Sequence, residues 1–282
     1  MSREVKDWID SYVYAHDSSE PPTIFKKWAA VSIVASALQR KCVLNWGTLR
    51  FYPNMYIVLV APSGKARKGV SMSEASDVLD TLNIKITAEA ITREALIKDL
   101  RNASDEDIDP HTGEMCFHSS LTIHSQELTV FIGYKNNELL MDLTDWYDCR
   151  NRWTYRTKNM GTDEIVGVWV NLFGATTPDL LQTTLPADAI GGGLTSRMIF
   201  VYAPKKGKTA VFPFPTDDQL SVKEKVMHDI GRISMLRGEF RVTEDFPEAW
   251  AKWYLEQEDN PPFQHNRFAG YFARRPTHIM KL

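Results

Sequence analysis

Met55-Tyr56-Ile57-Val58-Leu59-Val60 runs directly into Ala61-Pro62-Ser63-Gly64-Lys65-Ala66-Arg67-Lys68-Gly69. The first six residues are apolar and partly β-branched, the pattern of a parallel strand covered on both faces. A Gly/Pro/Ser loop carrying lysine follows, then helix-compatible residues. That order is the layout of a phosphate-binding loop, in which backbone N–H groups and a helix N-terminus cradle polyphosphate while a lysine neutralises its charge. The usual spacing, G-x-x-x-x-G-K-[ST], has glycine where Ala61 and Ala66 stand. Gly69 and Val70 follow Lys68 where a hydroxyl is expected. Residues 63–70 are the candidates for nucleotide contact; the plain alternative is a strand–turn–helix with a solvated basic turn.

At 282 residues, with 43% hydrophobic and 24% charged residues, the composition is that of a globular chain. No apolar run is long enough to span a bilayer, and the start, Met1 to Asp7, lacks the profile of a signal peptide. Cys42, Cys116 and Cys149 are widely spaced and odd in number. They imply neither a disulfide framework nor a zinc site, and reduced buried thiols in a cytoplasmic protein are expected. A net charge of −3 argues against indiscriminate coating of nucleic acid but allows a local basic surface.

Three regions are expected: a helical segment over 1–50, a core over 51–205 and a helical lid over 206–282. Trp8, Ile9, Tyr12 and Val13 have helical spacing, and Phe25 to Leu38 form an Ala-rich amphipathic run. After the loop, helices are expected over 73–82 and from Thr92, a candidate N-cap. Asp105 to Gly113 reads as a charged connector whose carboxylate spacing does not suit a calcium loop. Ser120 to Ser125, Ile165 to Gly174 and Met198 to Tyr202 read as further strands. Strands alternating with helices argue for an α/β sheet. Val222 to Leu236 and Pro247 to Gln257 read as helices of the lid.

Hydrolysis of a nucleotide needs a phosphate cradle, a water-orienting carboxylate, a γ-phosphate sensor and often an arginine from a neighbouring subunit. Open α/β sheets place such groups beyond the C-terminal ends of strands. Glu127 lies just past its strand, with Gln126 where an acidic partner is usual. Mg²⁺ would then be held mainly by phosphate oxygens and water, with Glu127 and Ser71 as protein candidates. Thr176 and Thr177 close the third strand, where they suit either phosphate sensing or capping of a helix beginning at Pro178. Arg197 follows Gly191-Gly192-Gly193-Leu194-Thr195-Ser196, and suits either a finger reaching a neighbour or a local ion pair. Arg150 to Thr162 reads as a β-hairpin with its turn at Lys158-Asn159-Met160-Gly161. Its Arg152, Trp153, Tyr155, Arg156 and Lys158 interleave cations and aromatics in a way that suits single-stranded nucleic acid, or else a solvated edge hairpin.

Taken together these residues resemble a family of helicase-like P-loop ATPases of phage and mobile-element replication. The resemblance rests on Tyr52-Pro53-Asn54, the Lys65-Ala66-Arg67-Lys68-Gly69 loop, Ser125-Gln126-Glu127-Leu128 and Leu143-Thr144-Asp145-Trp146-Tyr147-Asp148. It continues through Gly174-Ala175-Thr176-Thr177-Pro178 and the Gly191–Arg197 run, and covers most of the chain from Pro21. It implies an AAA+/RecA-like P-loop NTPase fold with a mainly parallel sheet flanked by helices. It also implies ATP and Mg²⁺ as cofactors, a hexameric ring, and motor action on single-stranded DNA in the cytoplasm, that of the host cell if phage-encoded. By the same resemblance Lys68 is the Walker A lysine, Glu127 the Walker B glutamate, Thr176 the sensor and Arg197 the finger, with Arg274 or Arg275 a candidate second sensor from the lid. A lid ending at Leu282 implies a shortened chain or a compact member without the further DNA-binding domain of relatives. The competing expectation, from the Ala61, Gln126 and Val70 departures, is a non-catalytic DNA-binding or scaffold protein on a degenerate P-loop fold. A small-molecule kinase is disfavoured because no acceptor-binding motif can be read.

Overall fold

A computed structural model describes residues 2–108, 112–133, 136–157, 161–184, 193–262, 265 and 268–282. Helix α1 (Trp8–Ala15) is capped by the Asp7 carboxylate, which accepts from the Asp10 N–H, and α2 (Thr23–Leu38) follows the Pro21-Pro22 break. A hairpin of β1 (Cys42–Trp46) and β2 (Leu49–Phe51) leads to β3 (Tyr56–Val60), every residue of which is buried. The loop 61–67 and α3 (Lys68–Thr81) come next, then α4 (Arg93–Asn102), with Thr92 accepting from the Ala95 N–H as its cap.

Beyond these lie β4 (Ser104–Ile108), β5 (Met115–Ser125), α5 (Leu128–Ile132) and α6 (Asn137–Tyr147). The hairpin β6 (Arg152–Thr157) and β7 (Gly161–Val166) precedes β8 (Val168–Thr176), α7 (Pro178–Thr184) and β9 (Met198–Tyr202). The chain continues through α8 (Asp217–Ile233), β10 (Gly238–Glu239), α9 (Phe246–Asp259) and α10 (Ala269–Lys281).

The central sheet has the order β4-β5-β8-β3-β9. Strands β5, β8, β3 and β9 run parallel, and β4 closes one side antiparallel. Residue alternation on β3 assigns its two faces. Ile57 and Leu59 pack with α1, α2, α3 and α8, while Tyr56, Val58 and Val60 pack with α4, α5 and α6. On β8, Phe173 and Ala175 join the first layer, and Val168, Val170 and Leu172 the second.

The molecule is α/β, but its sheets are mixed, which corrects the expected mainly parallel arrangement. β1 pairs antiparallel with β2 and parallel with β10, and the β6–β7 hairpin is antiparallel. Two further corrections have local causes. The expected strand from Ile165 to Gly174 is broken at Gly167, which takes φ +60°. A Cβ there would stand 2.3 Å from the Phe117 carbonyl oxygen, so only glycine allows the turn. Ile165 and Val166 therefore belong to the hairpin. The expected charged connector begins as β4, whose backbone pairs with β5 while Asp105 and Glu106 stay exposed. Asp109, Pro110 and His111 lie outside the described residues.

α8 packs beside the sheet on α1, where the Trp8 indole donates to the Val226 carbonyl at 2.9 Å and Asp229 accepts from the Glu4 and Val5 N–H groups. α10 docks at the opposite edge, where the strands begin: His278 contacts Ser196, and Lys281 contacts Tyr52 and Asn54. Cys42 and Cys149 are buried thiols as expected, whereas Cys116 is exposed. No helix among the described residues is long and apolar enough to cross a membrane.

Candidate phosphate site at the strand ends

β3 leaves the sheet at Val60, and the next residue, Ala61, donates its N–H to the Thr176 carbonyl at 3.3 Å. The chain turns back through Gly64, at φ +68°, with the Lys65 N–H on the Pro62 carbonyl at 3.2 Å. A second left-handed residue, Arg67 at φ 55° and ψ 38°, caps α3 without a side-chain cap bond. Helix α3 begins at Lys68, so its first N–H groups and the positive end of its dipole face the loop. The left-handed position directly before the lysine is thus Arg67, not Ala66, which corrects the glycine register expected from sequence.

The Lys68 ammonium donates to the Ala61 carbonyl at 2.7 Å, closing the loop on itself. Partial burial pulls its pKa below the ordinary lysine value, and the nearby Glu127 carboxylate opposes that shift. Ser63, Gly64, Lys65, Gly69 and Val70 are exposed around the mouth of the loop, while Ala66 is buried beneath it.

Register brings Glu127 and Thr176 to the same edge. Ser125 pairs with Gly174 and Val60 with Thr176, so Glu127 and Thr176 each stand two residues beyond a paired position on adjacent strands. Because β8 lies between β3 and β5, Thr176 sits between the loop and Glu127. Glu127 is exposed at the start of α5. Thr176 is fully buried, whereas Thr177 accepts from the Leu180 N–H at 3.3 Å and caps α7. Gln126, which stands where an acidic partner is usual, has its Oε1 3.8 Å from the position a Cβ on Gly69 would take. Its amide therefore borders the first turn of α3, where a metal-side ligand of a phosphate would stand.

Ser71 is fully buried in α3, and its hydroxyl has no hydrogen-bond partner. Among the described residues no group of three or more His, Cys, Asp or Glu side chains converges on a common point. The donor set at this edge (a lysine, a neutral amide, one carboxylate and hydroxyls) fits a polyphosphate whose own oxygens and water supply most of a Mg²⁺ shell.

Two predicted elements lie elsewhere. Arg197 precedes β9, whose first residue Met198 pairs with Tyr56, so it stands at the opposite edge from Lys68. Its side chain is buried, holding Asp148 at 2.7 Å and the Gly193 carbonyl at 2.7 Å, with Nε unpartnered. The local-carboxylate alternative is the geometry present. Arg274 shares Asp148 at 3.3 Å, so neither arginine reaches the phosphate loop of its own chain.

The β6–β7 hairpin separates its cations from its aromatics. Arg152 and Arg156 are exposed, and Arg152 pairs with Glu164 at 3.1 Å. Trp153 and Tyr155 are half-buried on the inner face: Trp153 stacks on Tyr155 and meets Trp146 edge-on, and Arg93 lies over the Tyr155 ring. In this placement the two rings take part in packing the hairpin against α6. Lys158 lies outside the described residues.

No protein-family model matches the chain, and no curated protein matches it.

Proposed function

We propose that this sheet edge binds ATP and that the chain is a P-loop ATPase of the AAA+/RecA-like kind. The observation that carries this is one constellation: Lys68 opening α3 directly after β3, with Thr176 and Glu127 ending the next two parallel strands. Phosphoryl transfer to water depends on positioning and charge neutralisation rather than covalent chemistry. Bound ATP with Mg²⁺ would supply the scissile phosphoanhydride and the metal's charge. Lys68 would exchange the Ala61 carbonyl for phosphate oxygen. Its ammonium is already partly desolvated, so little hydration has to be shed. Glu127 would orient the attacking water, Thr176 would hydrogen-bond the phosphate end, and Gln126 with Ser71 would stand on the metal side.

The wider proposal is a motor on single-stranded DNA, in which copies assemble head to tail as a hexameric ring. Support comes from the separation of parts: the loop at one edge, Arg197 and Arg274 at the other, and the exposed Arg152 and Arg156 on a hairpin joined to β8. Heterologous contact between opposite edges is the arrangement that closes rings. For Arg197 to act across such a contact, its pair with Asp148 would have to open. Gln126 and the missing hydroxyl after Lys68 favour the second reading, a DNA-binding scaffold on the same fold without turnover.

ATP turnover with and without single-stranded DNA separates the two. Lys68→Ala should abolish hydrolysis and weaken nucleotide binding, with Lys65→Ala milder. Glu127→Gln should keep binding and lose turnover. Absence of turnover in the unaltered chain, with DNA binding intact, would leave the scaffold.

A further inference from the structure

Arg67 occupies the position directly before the lysine, where the usual loop has glycine, and a left-handed φ costs an L residue free energy that its surroundings must offset. The surroundings here are specific. Arg67 Nε donates to Glu20 Oε2 at 2.8 Å, and Glu20 Oε1 accepts from the Lys206 ammonium at 2.5 Å and the Ala210 N–H at 3.2 Å. The Glu20 backbone carbonyl takes the Gly207 N–H at 3.0 Å, and the Lys206 N–H bonds the Lys65 carbonyl at 2.8 Å. Gly207 lies so close to Pro21-Pro22 that a Cβ would stand 3.1 Å from Pro22 Cα. One carboxylate, its side chain 16% exposed, therefore ties the α1–α2 connection, the loop and the segment after β9 into one joint.

We propose that Glu20 is a positioning residue for the candidate phosphate site: its grip on Arg67 holds the left-handed turn that aims the first N–H groups of α3 and Lys68 at the ligand. The role rests on the ATP reading of this edge. It explains how a loop without the customary glycine keeps the customary turn, since the guanidinium anchor offsets what the Cβ costs. Lys206, Arg67 and the Ala210 N–H together hold the Glu20 carboxyl down to about 2, so the anchor stays charged throughout the neutral range.

The test uses the full chain with Glu20→Gln, Arg67→Gly and the double variant. Two quantities are read: amide hydrogen exchange over residues 66–70 without nucleotide, and affinity for a fluorescent ATP analogue with Mg²⁺. Glu20→Gln should speed exchange and weaken the analogue, each by about tenfold. Glycine adopts the turn unaided, so the double variant should return the exchange close to its starting value. Exchange unchanged by Glu20→Gln overturns the proposal. So does affinity that stays unchanged in Glu20→Gln while exchange speeds, because the turn then does not serve the ligand. Failure of the unaltered chain to bind the analogue overturns the ATP reading and the role of Glu20 toward a ligand, whereas the exchange data still decide whether the joint exists.

Discussion

The two edges of the central sheet differ in how their polar groups are used. Where the strands begin, polar side chains are committed to one another. Asn54 donates to the Tyr147 and Val170 carbonyls and takes the Lys281 ammonium, and Tyr147 meets His278 at 3.0 Å. Asp148 is shared by Arg197 and Arg274. Where the strands end, Lys68 holds only a backbone carbonyl that phosphate could replace, and Glu127 and the loop are exposed. Satisfied networks contribute stability, and unsaturated groups on a rigid frame are what binding requires. Substitutions should therefore cost stability at the first edge and ligand chemistry at the second.

The largest effect is expected from Asn54→Leu. It leaves the buried Lys281 ammonium with only the longer contacts to the Tyr52 and Tyr147 carbonyls and strips the Val170 carbonyl of its amide donor, a loss of about 3 kcal/mol or more. Urea unfolding measures it, and a change below about 1 kcal/mol would dissolve the contrast between the edges.

Acid should attack the same edge. Burial, with Lys281 and Arg274 nearby, pushes His278 from its ordinary 6.5 down to about 4, against the opposing pull of the Ser196 carbonyl. Between those values the unfolded chain binds the proton and the folded chain does not. The contribution is present above pH 6.5 and lost as pH falls through 4, at most about 3 kcal/mol. Hydrogen exchange along α10 should accelerate across that window, and His278→Phe should flatten the dependence.

Trp153→Ala should cost about 2–3 kcal/mol of stability through its packing on Trp146 and Tyr155. If it instead leaves stability intact and weakens single-stranded DNA binding, the ring is offered outward after all. Arg197→Ala should cost about 2 kcal/mol by releasing Asp148. If turnover also collapses and is rescued by mixing with Glu127→Gln subunits, the arginine serves a neighbour as well.

Lys68→Ala should change stability least, under about 0.5 kcal/mol, while removing hydrolysis. Arg156→Ala belongs with it: thermal unfolding unchanged, and a shallower salt dependence of DNA binding.

Much of the sheet was legible because its strands are apolar on both faces. β3 and β9 read correctly from composition alone, and Thr92 and the start at Pro178 announced their helices. Failures came where a backbone conformation, not a side-chain pattern, decides. Ile165-Val166-Gly167-Val168-Trp169 is continuous in hydropathy, and only the Phe117 carbonyl against Gly167 shows why it bends. Arg67 carries no mark of a left-handed residue, because its support comes from Glu20, 47 positions away in the chain. β4 has one usual strand residue, Ile108, and is held by pairing. For the site, the lysine and Glu127 could be found from strand ends, but Gln126 could not be placed without knowing that it borders Gly69. The commitment of Arg197 to Asp148 likewise needed the fold.

Gly167 has a mechanical consequence. A single residue, hemmed in by Phe117 and His118, separates the hairpin from β8. A joint of one crowded residue leaves no loop between the hairpin and β8 in which a displacement of the exposed arginines could be absorbed. β8 is nine residues long, about 30 Å of strand at 3.3 Å per residue, and it ends at Thr176. One unbroken stretch of backbone therefore connects the hairpin to the Thr176 end of the sheet, the shortest route by which strain at one could reach the other.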